Sequence, residues 1–255
     1  MVSNMQHDFV SALSSGIALD DAMEIAQTVL RPLGFDASSY DFSPVPLTHD
    51  GEFIVPTVYA MQNTPSDMTD LWCGQHYYAH DPVMDASRET SCPFIWTYRG
   101  QQSDIMSRIL DQRHRPVVDY LCDTGMESGI TVPIRGAGGA LATFTAISTS
   151  RIDIDDLNNA VSSVGYLAHI FHEAVVKGFP PQAFRTPHVR LTARERQCLQ
   201  LCAKGLIAKE IAHELGRSVA TVTLHLTSAT KKLGARNRFH ALVLAAHYQL
   251  LETTN

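Results

Sequence analysis

The spacing of apolar residues divides the chain into recognisable elements. In "DIDDLNNAVSSVGYLAHIFHEAVVK", Leu157, Val161, Val164, Leu167, Ala168 and Phe171 recur at helical offsets and mark one buried face. "LDDAMEIAQTVLRPLG" reads as a helix that ends near Pro32 and Gly34. "FDASSYDF" and "EFIVPTVYAM" read as strands with "THDG" as the turn between them, and "DMTDLWCGQHYYA" reads as a helix. "DQRHRPVVDYLCDTG" starts a helix at Pro116, because proline suits a first turn. "GITVPIRGAGGALATFTAIS" is two β-rich runs around a glycine-rich turn, the signature of a hairpin. The order helix, strands, helices, hairpin, helix predicts an α+β fold: an antiparallel sheet with helices on both faces, not alternating parallel α/β units.

After this comes "KGFPPQAFRTPHVR", where three prolines and a glycine interrupt any helix, so residues 177–190 are expected to be a linker between a domain at 1–176 and another at 191–255. The pattern then turns wholly helical. Thr192 followed by Glu195 is a capping box, Leu199, Cys202 and Ala203 continue the apolar face, and Gly205 ends that helix. Ile207, Ile211 and Leu215 make a short second helix, and Ser218 caps a third that runs to Leu233. Two helices, a tight turn at Gly216 and a third helix predict a helix-turn-helix, whose last helix enters the DNA major groove. A final helix spans 239–251, with Leu242, Val243, Ala246 and Leu250 as an apolar stripe.

Charge sharpens this division. Residues 191–255 carry nine Lys/Arg and four Asp/Glu, whereas residues 1–190 carry eleven and twenty-two. A basic module behind an acidic domain points to double-stranded DNA as partner of the C-terminal part. With 45% hydrophobic and 18% charged residues the 255-residue chain has a globular composition, and no apolar run reaches membrane-spanning length. The N-terminus has no basic secretion signal, and five cysteines in no framework spacing fit reduced thiols, so a cytoplasmic location is expected. Cys198 and Cys202 read as small buried residues, and no metal or other cofactor is implied. No G-x-S-x-G, H-E-x-x-H or C-x-x-C motif supports an enzyme.

The segment "LTARERQCLQLCAKGLIAKEIAHELGRSVATVTLHLTSATKKLGARNRFHALVLAAHYQLL" closely resembles the LuxR-type helix-turn-helix. That resemblance places Glu195, Leu199 and Gly205 at structural positions and Thr223 and Thr227 where the recognition helix meets base edges. Arg217, Ser218, Thr221, Lys231 and Lys232, with Arg236 and Arg238, complete the expected DNA-binding set, the cations being suited to phosphates. Residues 60–150 resemble the autoinducer-binding domain of the quorum-sensing LuxR receptors, through "TPSDM...W........DPV", "PFIW", "GMESGITVPI" and "ATFT". In that family an acyl-homoserine lactone lies between sheet and helices. The resemblance implies that Asp81 accepts from a ligand amide, Trp96 donates to a ring carbonyl, Thr145 bonds the amide region and Gly129 leaves room for close approach. It also implies a homodimer, involving the helix around 161–175 and the last helix, on a palindromic, lux-box-like site, with RNA polymerase as a further partner.

Three positions depart from that family. Its helix Trp is Met68 here, its Tyr one turn later is Trp72, and an aromatic position ahead of Pro65 is Thr64. Met is flexible and polarizable, and an indole N–H cannot accept a hydrogen bond as a phenol can. Met and Trp at this pair resemble the solo LuxR receptors of plant-associated bacteria, which respond to low-molecular-weight plant compounds rather than to lactones. The expected ligand set is Thr64, Met68, Trp72, Asp81, Trp96, Gly129 and Thr145, with Tyr78 read as core. A lactone receptor and a ligand-independent regulator, with Met68 and Trp72 filling the cavity, are the alternatives.

Overall fold

A computed structural model describes residues 9–13, 15–99, 103–150 and 152–251. They form two compact units, one comprising residues up to 46 together with 55–184, the other 47–54 together with 185 onward.

The first unit is built on a five-stranded antiparallel sheet. Its strands are β1 (Ala37–Ser43), β2 (Val58–Gln62), β3 (Phe94–Thr97), β4 (Ser128–Arg135) and β5 (Leu141–Ser148), in the order β2-β1-β5-β4-β3. The hairpin expected from "GITVPIRGAGGALATFTAIS" is β4–β5, paired from Ser128↔Ser148 to Arg135↔Leu141. Its turn needs glycine, since Gly138 and Gly139 have φ of 68° and 87°.

Strand alternation gives the sheet two different faces. Tyr40, Phe42, Ile130, Val132, Ile134, Ala142, Phe144 and Ala146 point to one side, where they form a single core with α1 (Leu19–Leu30) and α5 (Ile154–Val175). The α5 residues read from periodicity are in that core: Leu157, Val164, Leu167, Ala168 and Phe171 are buried and Val161 is partly so. Each of the larger side chains contributes about 1.5–3 kcal/mol by leaving water. The opposite side carries Ser39, Asp41, Trp96, Thr131, Thr143 and Thr145, a polar surface with little solvent exposure. It is covered by α2 (Pro82–Glu89), α3 (Asp104–Ile109) and α4 (Arg115–Asp123) and by the irregular segment before α2. Helices on both faces of one antiparallel sheet make this unit the expected sandwich.

Local expectations fail in four places. The segment 67–79 is not a regular helix: Asp70–Gly74 is a wide π turn, in which Gln75 N–H bonds both Asp70 and Leu71 carbonyls, and Tyr77–His80 is a tight 3-10 turn. His76, at φ 65°, separates them and breaks the helical path. Of "EFIVPTVYAM" only Val58–Gln62 pairs as a strand, because Pro56 has no N–H to give to a ladder. The first half of the proline-rich seam is packed rather than free, with Phe179 and Phe184 at 5.6 and 5.5 Å from Phe42. The last helix runs Arg238–His247 and stops before Gln249, whose φ is 52°.

The second unit holds α6 (Ala193–Ala203), α7 (Ala208–Glu214), α8 (Val219–Lys232) and α9 (Arg238–His247). The capping box forms as read: Thr192 Oγ1 accepts from Glu195 N–H at 3.3 Å and Glu195 Oε2 accepts from Thr192 N–H at 2.7 Å. Ser218 caps α8 through Thr221 N–H at 3.1 Å, and Asn237 caps α9 through His240 N–H at 2.9 Å. Cys198, Leu199, Cys202, Ile211, Val222, Leu226 and Ala229 are buried among these helices. The segment 47–54 belongs to this unit, where the Tyr248 hydroxyl lies 3.1 Å from His49 Nδ1. No helix among the described residues is long and apolar enough to cross a membrane.

Candidate functional site

Four of the expected ligand residues fall in two hydrogen-bonded groups, Trp72 with Asp81, and Trp96 with Thr145 through Thr131. Asp81 sits where the 3-10 turn meets α2, and Pro82 starts that helix. Asp81 Oδ1 accepts from Val83 N–H at 2.9 Å, which caps α2, and Oδ2 accepts from the Trp72 indole N–H at 2.8 Å. The two residues are nine apart, and the π turn carries Trp72 to this position. Burial pushes the Asp81 carboxyl up to about 6, against the opposing bonds from Trp72 and Val83 and the nearby His114. Each of its oxygens keeps a second lone pair, so an N–H or O–H brought in by a ligand still has an acceptor there.

Trp96 takes a different partner. Its indole N–H donates to Thr131 Oγ1 at 3.0 Å, and Thr131 and Thr145 hydroxyls lie 2.9 Å apart. Trp96 on β3, Thr131 on β4 and Thr145 on β5 thus form one chain across three strands. Gly129 makes that chain possible: a Cβ there would lie 2.5 Å from Trp96 Cζ2 and 2.5 Å from the Ala146 carbonyl oxygen. The space expected for a ligand at Gly129 is occupied by the Trp96 ring.

Met68 and Trp72 are both buried, and the Trp72 ring packs at a tilt against Tyr77 and Tyr120, with centroids 5.5 and 5.8 Å away. Thr64 is only partly buried and donates to the Met61 sulfur at 3.4 Å. An open cleft of about 580 Å³ beyond the β3–β4 end, lined by Thr97, Arg99, Glu127 and Asp153 among others, contains none of the expected residues.

The structure adds residues that the reading passed over. Asp41 on β1 is 3% exposed, and its two oxygens accept from the hydroxyls of Tyr78 (2.8 Å) and Thr143. Tyr78, read as core, is buried but acts through its hydroxyl. Burial pushes Asp41 up to about 7, against the bonds from Thr143 and Tyr78, and the Asp81 charge adds to the rise. The Tyr98 hydroxyl is buried with no hydrogen-bond partner among the described residues, and its pKa is raised by burial and then by the nearby Asp81. The available signal was an Asp inside a strand whose neighbours alternate apolar and polar.

In the second unit, Thr223 and Thr227 are exposed on α8, one turn apart, with Lys231 a further turn on. Ser218 and Arg217 are exposed at the start of the helix, and Thr221 is partly covered. Thr223 Oγ1 donates to the Val219 carbonyl at 2.9 Å and keeps its lone pairs for an outside donor. Leu224 is 70% exposed beside it. Lys232 corrects the expected phosphate set. Its ammonium lies 2.7 Å from Glu195 Oε2, and Ser228 donates to Glu195 Oε1 at 2.7 Å. Burial alone would raise the Glu195 carboxyl, but Lys232, Ser228 and the Thr192 cap outweigh it and hold it at about 2. Lys232 therefore neutralises a buried charge inside the module, while Lys231 is left facing outward.

Comparison with known proteins finds two family models that match this chain. The family model for the autoinducer binding domain matches residues 18–175, and that for bacterial regulatory proteins of the luxR family matches 189–245. The chain is 27% identical to the transcriptional activator AhyR of Aeromonas hydrophila over 188 residues, 73% of this chain and 71% of that one. It is 25% identical to the transcriptional activator BjaR1 of Bradyrhizobium diazoefficiens over 244 residues, 96% of this chain and 95% of that one. Among solved structures, SdiA in complex with octanoyl-rac-glycerol superposes with a TM-score of 0.58 at 20% identity, covering 99% of this chain and 97% of that one. The chain belongs to the LuxR family of ligand-binding transcriptional regulators, not to an enzyme family.

Proposed function

We propose that this regulator reads a small organic compound of plant origin rather than an acyl-homoserine lactone. The compound lies between the polar sheet face and its helical cover, and its binding controls attachment of a homodimer to a palindromic, lux-box-like duplex. The observation that carries the ligand reading is the Trp72–Asp81 hydrogen bond. It commits the indole N–H to the very carboxylate that receives the ligand amide, so that N–H is not offered to an acyl carbonyl. A site built around one donor geometry loses heavily against a ligand that needs another. Trp96 turns its N–H from Thr131 to a ligand carbonyl, and Thr131 and Thr145 keep each other as partners.

On the DNA side, Thr223 and Thr227 meet base edges, and Arg217, Lys231, Arg236 and Arg238 meet phosphates. The dimer uses two partly uncovered apolar stripes. One is on α5, where Tyr166 is 46% exposed; the other is on α9, where Phe239 and Val243 are 78% and 65% exposed. Two-fold protein symmetry then asks for two-fold symmetry in the DNA. RNA polymerase is the partner of the DNA-bound dimer, and the protein works in the cytoplasm.

A melt followed by tryptophan fluorescence tests the ligand reading, because both Trp residues lie in the first unit. A ligand that binds only the folded state raises the midpoint. Fractionated plant extract raises it and an acyl-homoserine lactone panel does not. A shift by a lactone alone overturns the proposal.

A further inference from the structure

We infer that Asp41 is a second recognition carboxylate, so the ligand carries, besides the group that meets Asp81, an ammonium or hydroxyl rather than a plain hydrocarbon tail. The inference rests on the pocket reading above and specifies the chemistry of the compound.

Asp41 lies on the same sheet face as Thr143, Thr145 and Thr131, next to the strand that carries Thr145. Its row of the sheet runs Tyr59, Asp41, Thr143, Pro133 from β2 to β4. A charged carboxylate in such a place normally has a cation or several donors. Among the described residues no Lys, Arg or His forms an ion pair with it. The donors it has are two neutral hydroxyls, from Tyr78 and Thr143, one to each oxygen. Two of its roughly four lone-pair directions remain open.

Two neutral hydrogen bonds satisfy geometry but do not balance a buried charge, and the carboxyl correspondingly resists ionisation. An alkyl chain laid against Asp41 would offer no donor to its open lone pairs, the costliest arrangement for this group. An ammonium would supply both donor and charge, and a hydroxyl would supply the donor. A second buried polar group lies near Asp81. The Tyr98 hydroxyl is buried, has no partner among the described residues and is close enough to Asp81 to feel its charge. A polar ligand with one functional group at Asp81 and Tyr98 and another at Asp41 satisfies all three.

The test uses the full chain and two series of N-alkyl amides matched in length, one ending in methyl and the other in primary ammonium. Binding is read by calorimetry and by the tryptophan-monitored melt. The ammonium-ended members bind at least about tenfold more tightly than their methyl-ended partners, the scale of one hydrogen bond to a charged group. Asp41→Asn erases that preference. Thr143→Ala, which keeps the carboxylate and removes one of its donors, enlarges it, so the inference does not depend on one variant folding. Methyl-ended amides that bind as tightly as ammonium-ended ones, and lose binding in Asp81→Asn, overturn the role of Asp41 and leave the pocket reading standing. An ammonium preference unchanged in Asp41→Asn overturns it in the same way. No binding by either series overturns the pocket reading as well.

Discussion

Replacing Gly129 by alanine adds one methyl at the most crowded point of the polar sheet face. That methyl would sit 2.5 Å from the Ala146 carbonyl oxygen and 2.5 and 2.8 Å from Trp96 Cζ2 and Cε2. The carbonyl belongs to the β5 backbone and has no rotamer to give, so the strain is not relieved by a side chain alone. Overpacking of this kind costs about 1–3 kcal/mol. Displacing Trp96 also breaks its 3.0 Å bond to Thr131. A buried indole N–H left without a partner costs a further ~1–3 kcal/mol. The sum is about 2–6 kcal/mol, or roughly 4–24 °C in the midpoint of a unit of this size. Both Trp residues belong to the first unit, so fluorescence-detected unfolding reports that unit without contribution from the DNA-binding one. Gly129→Ala should lower the midpoint by that amount and change the Trp96 emission. A midpoint indistinguishable from that of the parent protein would refute the claim that Gly129 exists to seat Trp96.

Ionisable groups in both units and the Met68–Trp72 pair give further outcomes. Asp41 and Asp81 have folded-state pKa values raised to about 7 and about 6. Above pH ~4 the unfolded chain ionises them first, so the ligand-free first unit loses stability as pH rises toward 7, by about 4 kcal/mol at most from Asp41; urea titrations across that range should show it, and Asp41→Asn should flatten the slope. Glu195 has the opposite sign: its depressed pKa adds stability above pH ~4.5 that disappears as pH falls toward 2. Because Lys232 is 39% exposed, its loss in Lys232→Ala costs only about 1–2 kcal/mol. Peptide-resolved hydrogen exchange in α6 and α8 should rise in that variant, whereas Lys231→Ala should leave exchange unchanged and reduce the salt dependence of DNA binding by about one ion. Restoring the family pair with Met68→Trp and Trp72→Tyr should yield lactone binding by calorimetry where the parent shows none; continued indifference to lactones would show that the selectivity lies elsewhere in the pocket.

What the sequence revealed depended on how local the signal was. The capping box at Thr192 and Glu195, the hairpin of β4 and β5 and the cap at Ser218 each lie within a few residues of their partners, and each was legible. The Asp41 site was not, because Tyr78 and Thr143 are 37 and 102 residues away and meet it only through strand register and the folded cover. Nor was the role of Gly129, since what fills the space beside it is the Trp96 ring from the neighbouring strand. Lys231 and Lys232 look equivalent in sequence, yet adjacent helical positions point about 100° apart, and only one of them reaches Glu195. The π turn at Asp70–Gly74 shares the composition of an ordinary helix.

The central claim is that occupancy of the first unit's pocket governs DNA binding by the second. The most direct measurement is fluorescence anisotropy of duplexes recovered from genomic fragments by the protein, titrated with and without the plant fraction that raises the melting midpoint. The account predicts that the fraction changes duplex affinity at least about tenfold, a coupling of ~1.4 kcal/mol, and that the change is lost in Asp81→Asn. Equal affinity in its presence and absence would contradict the account and leave a regulator that needs no ligand.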